Sequence, residues 1–225
     1  MSEKIEIRAI ARFRSPFASK FGIPRQSGVV AELRGQVVLE PTFRNAEALR
    51  GIEGFDYLWL LWQFSANAAP PTATTVRPPR LGGNERVGVW ATRSPFRPNG
   101  LGLSAVRLER GEWDTPSGPV LHVLGGDLMD GTPIVDIKPY VPYCDAHPDA
   151  RAGFTDERHW QPLEVEIDEA VAAQFDSDTM AALRGVLAQD PRPHYHHDAE
   201  RVYGFSFAGQ ELHFTVDENN VLHLT

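Results

Sequence analysis

The sequence predicts a mainly β protein in two parts: residues 1–140 as short strands in a closed barrel or sandwich, then a smaller α+β part. Three observations predict it. Short β-patterned runs recur through the first part, punctuated by Gly and Pro. The best helical window in the chain is Asp168 to Gln189. Near Asp145 the texture changes to a polar stretch with no strand pattern, and the residues after it are strongly acidic.

Taken in order, KIEIRAIARF alternates apolar and polar residues through Ile5, Ile7 and Ala9, as a half-buried strand does. GVVAELRGQVVLEP gives Val29, Val30 and Leu33, then Val37, Val38 and Leu39. Asn45 to Gly51 reads as a short helix, with Asn45 as N-cap and Gly51 just past its end. FDYLWLLWQF is a continuous apolar and aromatic run of strand length, the pattern of a buried strand. RVGVWATR is another β-rich run, LSAVRLERGEW alternates, and PVLHVLGGDLMDGTPIVDIKPYVPY holds at least two more strands. DAHPDARAGFTDERHW reads as a linker and QPLEVEI as a strand. Val171, Phe175, Met180, Leu183, Val186 and Leu187 recur at helical spacing, with a break at Asp176–Asp178 that caps a second helix. Phe205/Phe207, Leu212/Phe214 and Val221/Leu222 then mark three strands, the last two joined by a turn at Glu218-Asn219-Asn220. These elements place a first domain at 1–150 and a second at 160–225.

The 225 residues, 42% hydrophobic and 23% charged, fit a folded chain rather than a disordered one. The net charge of −8 argues against a generic nucleic-acid binder, but the distribution says more. From Val141 to Thr225 there are 5 Lys+Arg against 16 Asp+Glu; the remainder carries 17 basic against 14 acidic residues. A basic surface on the first part is therefore compatible with an acidic total. Arg8, Arg12, Arg14, Lys20 and Arg25 form one basic cluster with no acid among them. Cys144 is the only cysteine, so no intrachain disulfide forms, which suits a reducing compartment. MSEKIEIRAI has no apolar core of signal-peptide length, and no run approaches the roughly 20 apolar residues of a membrane span. The expectation is a cytoplasmic protein with no membrane partner.

The densest chemistry lies between Val76 and Ser104, VRPPRLGGNERVGVWATRSPFRPNGLGLS. Arg77, Arg80, Arg86, Arg93 and Arg97 stand there against one acid, Glu85, among Gly82, Gly83, Gly88, Gly100 and Gly102 and several prolines. Guanidinium forks suit phosphate and carboxylate, and a loop rich in Gly and Pro brings backbone close to a ligand in a fixed shape. The competing reading is an exposed loop whose arginines pair with acids elsewhere. No GxGxxG follows a strand, and neither a GxxxxGK[ST] phosphate loop nor a GxSxG elbow occurs. His194, His196 and His197 lie close together, but on a polar segment they read as solvated rather than as a metal site. Asp127, Asp130 and Asp136 stand at strand ends as bases or turn caps, Asp130 preferably as a cap because Asp-Gly is turn chemistry. These residues point to a β-rich, arginine-lined protein with a polyanionic or nucleotide-like ligand, and they do not name the reaction.

Five segments together resemble the TsaA/TrmO (YaeB-like) family. They are FGIPRQSG (Phe21 to Gly28), ALRGIEGFDYLWLLW (Ala48 to Trp62), the arginine-rich stretch, DLMDGTPIVDIKPYVPY (Asp127 to Tyr143) and DPRPHY (Asp190 to Tyr195). The resemblance implies a single-sheeted β-barrel N-terminal domain that binds S-adenosylmethionine without a Rossmann fold, followed by a small α+β C-terminal domain. It implies a homodimer and a tRNA methyltransferase acting in the anticodon loop, on N6 of the threonylcarbamoyl-adenosine at position 37. It implies cofactor contacts at Pro24, Arg25, Gln26, Arg93, Leu103, Asp130, Gly131, Thr132 and Pro133, and at Ser65, where many relatives carry histidine. Arg97 and Asn99 fall to substrate binding, and Asp190, Arg192 and Tyr195 to the catalytic handling of the substrate. His194 replaces the family's usual alanine in the DPRPHY segment, and His196 replaces the arginine that usually follows it. The resemblance implies no metal. A different class remains open beside the enzyme: a non-catalytic module that binds S-adenosylmethionine or RNA on the same barrel.

Overall fold

The computed structural model describes residues 5–67, 74–78, 85–156, 161–193 and 198–225. In the first part the strands are β1 (Ala11–Arg14), β2 (Arg34–Leu39), β3 (Tyr57–Gln63), the short ribbon β4 (Thr75–Val76) and β5 (Val87–Gly88), β6 (Leu101–Glu112), β7 (Val120–Leu124) and β8 (Pro133–Pro139). A one-turn helix α1 (Pro142–Asp145) follows. The second part is β9 (Glu164–Ile167), α2 (Glu169–Ala172), α3 (Ser177–Ala188), β10 (Tyr203–Phe207), β11 (Gln210–Val216) and β12 (Val221–Leu224). The protein is mainly β, as the sequence predicts.

Six strands close into an antiparallel barrel in the order β1-β2-β7-β6-β3-β8. Closure leaves no unpaired edge among them. Alternation along each strand sends one set of side chains inward. Phe13, Val37, Leu58, Leu60, Val106, Leu121, Val123 and Ile134 fill the interior. β3 departs from expectation here. Its continuous apolar run is only half buried: Leu58, Leu60 and Trp62 point in, while Tyr57 stays on the exposed outer face and Trp59 and Leu61 are half-buried there.

Two further expectations fail for physical reasons. Ile5 and Ile7 alternate but remain exposed, 80% and 52%, and the strand begins only at Ala11. Pairing with β2 and β8 is what defines that strand, and those partners start opposite Ala11. RVGVWATR pairs only at Val87 and Gly88, then winds into a 3₁₀ turn at Val89–Ala91, so its β propensity lacks a longer partner. Asn45 caps as expected, accepting from the Glu47 amide, but the turn it opens, Ala46–Leu49, is 3₁₀, and Gly51 after it is left-handed at φ 86°.

The second part is a four-stranded sheet ordered β10-β11-β12-β9, with β12 and β9 parallel, and α3 packed on it. The expected break in the helical window is real. Asp168 caps α2 through the Ala170 amide, and Asp176 caps α3 through the amides of Asp178 and Thr179. Those bonds hold the Asp176 carboxyl below its usual range. Leu183 and Leu187 of α3 meet Phe205, Phe207, Phe214 and Leu222 of the sheet.

Phe17, Val30 and Leu33 belong to this second core, although they lie in the connection between the first two barrel strands. Phe17 packs edge-on against Phe207 with centroids 5.4 Å apart, and the Ala208 amide donates to the Pro16 carbonyl at 2.9 Å. The 15–33 connection is thus clamped between barrel and sheet. Phe17→Ala should cost about 3–5 kcal/mol of unfolding free energy, since the ring is fully buried. Denaturant unfolding checks this, and a loss below about 1 kcal/mol would show that the clamp is not a core contact.

Candidate functional site

In an antiparallel barrel successive connections alternate between the two rims. The β1–β2, β3–β6 and β7–β8 connections therefore share one rim. These are residues 15–33, 64–100 and 125–132, and they carry Pro24–Gln26, Ser65, the arginine-rich stretch and Asp127–Thr132. Segments scattered through the first 133 residues converge at one end of the barrel.

The appendage completes this rim. A cleft of about 140 Å³ lies between Lys20–Arg25 of the β1–β2 connection and Val186, Gln189, Asp190 and Pro191 at the end of α3. Pro24 is buried in its wall. Lys20 ties the wall to the end of β3, its Nζ donating to the Ala66 carbonyl at 3.0 Å and to Asn67 Oδ1 at 2.9 Å. Ser65 is exposed beside that tie. Asp190 has φ 49°, the left-handed conformation of a residue just past a helix end. Both of its carboxylate oxygens accept from Arg192, Nε at 2.8 Å and Nη2 at 3.0 Å. Arg192 is only 10% exposed at its side chain, and the Asp190 hydrogen bonds push its guanidinium further up. Asp190 thus orients Arg192. Among the described residues, Nη1 of the fork has no hydrogen-bond acceptor. Tyr195, His194 and His196 lie outside the described residues, as does Arg80.

The arginines of the 76–104 stretch differ from those elsewhere on the barrel in their partners. Among the described residues, none of Arg77, Arg86, Arg93 and Arg97 has a carboxylate at salt-bridge distance, whereas Arg12, Arg14, Arg34, Arg50 and Arg110 each do. Arg93 Nη1 donates to Gln26 Oε1, which joins the second rim loop to the first. Arg97 is folded back, its Nη2 donating to the Thr92 carbonyl at 2.7 Å while its Nε is buried without a partner. It shapes the loop that presents Arg93, and Asn99 stands exposed beyond it. Trp90 and Phe96 on the same stretch are exposed, Trp90 to 82%.

Asp130–Pro133 face β1. Asp130 accepts from the Ser15 amide at 3.1 Å and from Arg14, and Gly131 takes φ 76° in the turn that follows. Thr132 is buried, donating to the Met129 carbonyl at 2.7 Å, and Pro133 pairs with Arg12. The structure therefore sorts the expected site into two groups. Pro24, Arg25 and Gln26 stand with Arg93 and the Asp190–Arg192 pair, while Asp130–Pro133 stand against the end of β1. Leu103 points out of the barrel, 54% exposed and opposite Leu61.

One participant escapes any weighting of single motifs. Gly102 lies opposite Trp62, and a Cβ there would run into the indole. Its absence lets the ring lie flat across β6 so that Nε1 donates to Ser104 Oγ at 2.9 Å, and Ser104 Oγ donates to Asp127 Oδ1 at 2.5 Å. Gly102→Ala should cost about 1–3 kcal/mol by overpacking, read from the shift in thermal unfolding. An unchanged Tm would mean that the indole has room to move.

Comparison with known proteins assigns the architecture. The N-terminal domain model of tRNA-methyltransferase O matches residues 12–146, and the TrmO C-terminal domain model matches residues 160–224. Barrel and appendage together thus define a protein of the tRNA-methyltransferase class. An Escherichia coli tRNA (adenine(37)-N6)-methyltransferase is 42% identical over 197 residues, 84% of this chain and 83% of the relative. A Pseudomonas aeruginosa protein with the provisional name S-adenosylmethionine-dependent methyltransferase RcsF is 41% identical over 216 residues, 92% of this chain and 91% of the relative. The crystal structure of TrmO from Pseudomonas aeruginosa superposes with a TM-score of 0.77 at 33% identity, covering 99% of this chain and 98% of that one. The chain belongs to the tRNA-methyltransferase O family.

Proposed function

We propose that this chain transfers a methyl group from S-adenosylmethionine to N6 of threonylcarbamoyl-adenosine at position 37, in the anticodon loop of tRNA. The cleft between Lys20–Arg25 and Gln189–Pro191 carries the reading, because it sets the expected cofactor motif against the Asp190–Arg192 pair. The names of the relatives, an adenine-37 N6-methyltransferase and an S-adenosylmethionine-dependent methyltransferase, support it.

The rim chemistry fits such a donor. S-adenosylmethionine presents an adenine, a ribose, a charged amino-acid end and a sulfonium, and the rim offers an amide at Gln26, a guanidinium at Arg93 and a carboxylate at Asp130. When bound it supplies an electrophilic methyl group. Transfer of that methyl from sulfur to N6 would release S-adenosylhomocysteine and pass the N6 proton to water, while this chain's residues align the two. That nitrogen is ureido-like and weakly nucleophilic, so alignment carries much of the rate; well-oriented reactions gain up to about 7–11 kcal/mol. Arg192, fixed by Asp190, would present its guanidinium to a substrate anion such as the threonyl carboxylate. The carboxylate-free arginines at 77, 86 and 93 suit the phosphates that flank a single-stranded loop. Tyr195 would stack on a splayed base.

The cleft within one chain is smaller than the roughly 300–1,000 Å³ of typical ligand sites, so other walls must close over the donor. We infer that a second copy supplies some of them, through the apolar outer surface of Leu61 and Leu103 and the exposed Trp90 and Phe96. Light scattering at micromolar concentration should then give about twice the 25.0 kDa chain mass. A mass near that of one chain would remove the dimer from this account.

The decisive assay follows labelled methyl transfer to tRNA that carries threonylcarbamoyl-adenosine and to tRNA that lacks it. Transfer to the first alone is expected. Transfer to neither, with the cofactor still bound, would favour the non-catalytic module. Arg192→Ala should lower transfer roughly tenfold or more, from about 1.5–3 kcal/mol of lost charged hydrogen bonding, and leave cofactor affinity within about twofold. Loss of cofactor binding with tRNA binding intact would put the Asp190–Arg192 pair on the wrong ligand.

A further inference from the structure

Asp127 joins the three rim loops. Its Oδ1 accepts from Ser104 Oγ at 2.5 Å, the Ser27 backbone amide pulls its carboxyl down, and the Gly28 amide next along donates to the Gly125 carbonyl of the same β7–β8 loop at 2.8 Å. Ser27 follows Gln26 directly, and Gln26 Oε1 accepts from Arg93 Nη1, whose positive charge also acts on Asp127. An anchor on the β7–β8 loop therefore holds the residue next to Gln26 on the β1–β2 connection, and draws on Arg93 from the arginine-rich stretch.

The relay behind Asp127 has one direction. An indole N–H only donates, so Ser104 Oγ accepts from Trp62 and must send its own proton forward. That proton needs an acceptor at residue 127. Asparagine would supply an acceptor of the same shape without a buried charge. Burial pushes the Asp127 carboxyl up, against the pull of the Ser104 and Ser27 donors and of Arg93. A buried carboxyl at the end of this relay, where asparagine would accept the same bond, points to a role beyond packing. Gln26 is only half-buried and Arg93 is exposed, so neither is fixed by packing.

We propose that Asp127 is the positioning residue of the donor-binding rim, holding Gln26 through the Ser27 amide and Arg93 through its charge, and so setting the affinity for S-adenosylmethionine. This inference rests on the proposed function above and adds to it a residue that the motif comparison does not assign to the cofactor.

The test compares wild-type protein, Asp127→Asn and Ser104→Ala by calorimetry with S-adenosylmethionine and by steady-state methyl transfer. Asp127→Asn should raise both Kd and KM for S-adenosylmethionine about tenfold or more, equivalent to about 1.4 kcal/mol. Its kcat should stay within about threefold and its KM for tRNA within about twofold, the pattern of lost binding rather than lost chemistry. Its Tm should equal or exceed that of wild type, because the substitution removes a desolvated charge. Ser104→Ala keeps the charge and removes one donor, so it should raise the cofactor KM by less than Asp127→Asn does. Should Asp127→Asn fail to fold, a wild-type cofactor KM in Ser104→Ala would overturn the proposal. It is also overturned by an Asp127→Asn protein with wild-type cofactor Kd, or by one whose Tm, kcat and both KM values all deteriorate together. Wild-type protein that takes up no S-adenosylmethionine would overturn the proposed function as well, which separates the two failures.

Discussion

The burial of Phe17, Val30 and Leu33 in the core beneath α3 is the constraint on which the rest of the structure depends. These residues belong by sequence to the barrel and by packing to the appendage. A loop of this length between two strands would otherwise be free to move, since it has little secondary structure of its own. Burying its apolar residues against α3 and the second sheet fixes its path. That path carries Pro24–Gln26 along the end of α3 and forms the cleft with Gln189–Pro191. Gly185 on α3 adds to the fit, because a side chain there would press into Val30.

A second consequence concerns charge. The protein is acidic overall, and several basic side chains in the barrel pair with acids, Arg12 with Glu40 and Arg34 with Glu109 and Asp178. Among the described residues, the arginines of the 76–104 stretch have no carboxylate at salt-bridge distance. They bond to backbone carbonyls, to Thr75 and to Gln26, none of which cancels charge. Arginines of this stretch therefore stand at the rim where the motifs meet, while the residues after Val141 carry an excess of acids.

Strand patterns, the two helix caps at Asp168 and Asp176 and the change of texture near Asp145 were legible in the sequence because each is a local property. Alternation, an Asp before a helical period and turn residues act within a few positions of one another. The arginine-rich stretch stood out by composition, whereas the Asp-Pro-Arg segment stood out only through the family resemblance. Where local pattern met missing partners it failed. Ile5 and Ile7 have the right alternation and nothing to pair with, and RVGVWATR has β-prone residues but only a two-residue partner strand.

The tertiary structure alone decided which residues share a site. Closure of the barrel in the order β1-β2-β7-β6-β3-β8 put three distant connections on one rim, and that order depends on pairings between strands far apart in sequence. It made Gly102 a platform for the Trp62 indole and Asp127 the end of a directed hydrogen-bond relay, roles that neither residue type announces. It also turned Asp190 onto Arg192 and folded Arg97 back onto its own loop. The sequence by itself determined most of the strands and the caps at Asp168 and Asp176, because these follow from neighbouring residues. Only the folded chain decided the partners of each charge, because burial and hydrogen bonding across the rim are set by contacts between residues as far apart as Pro24 and Asp190.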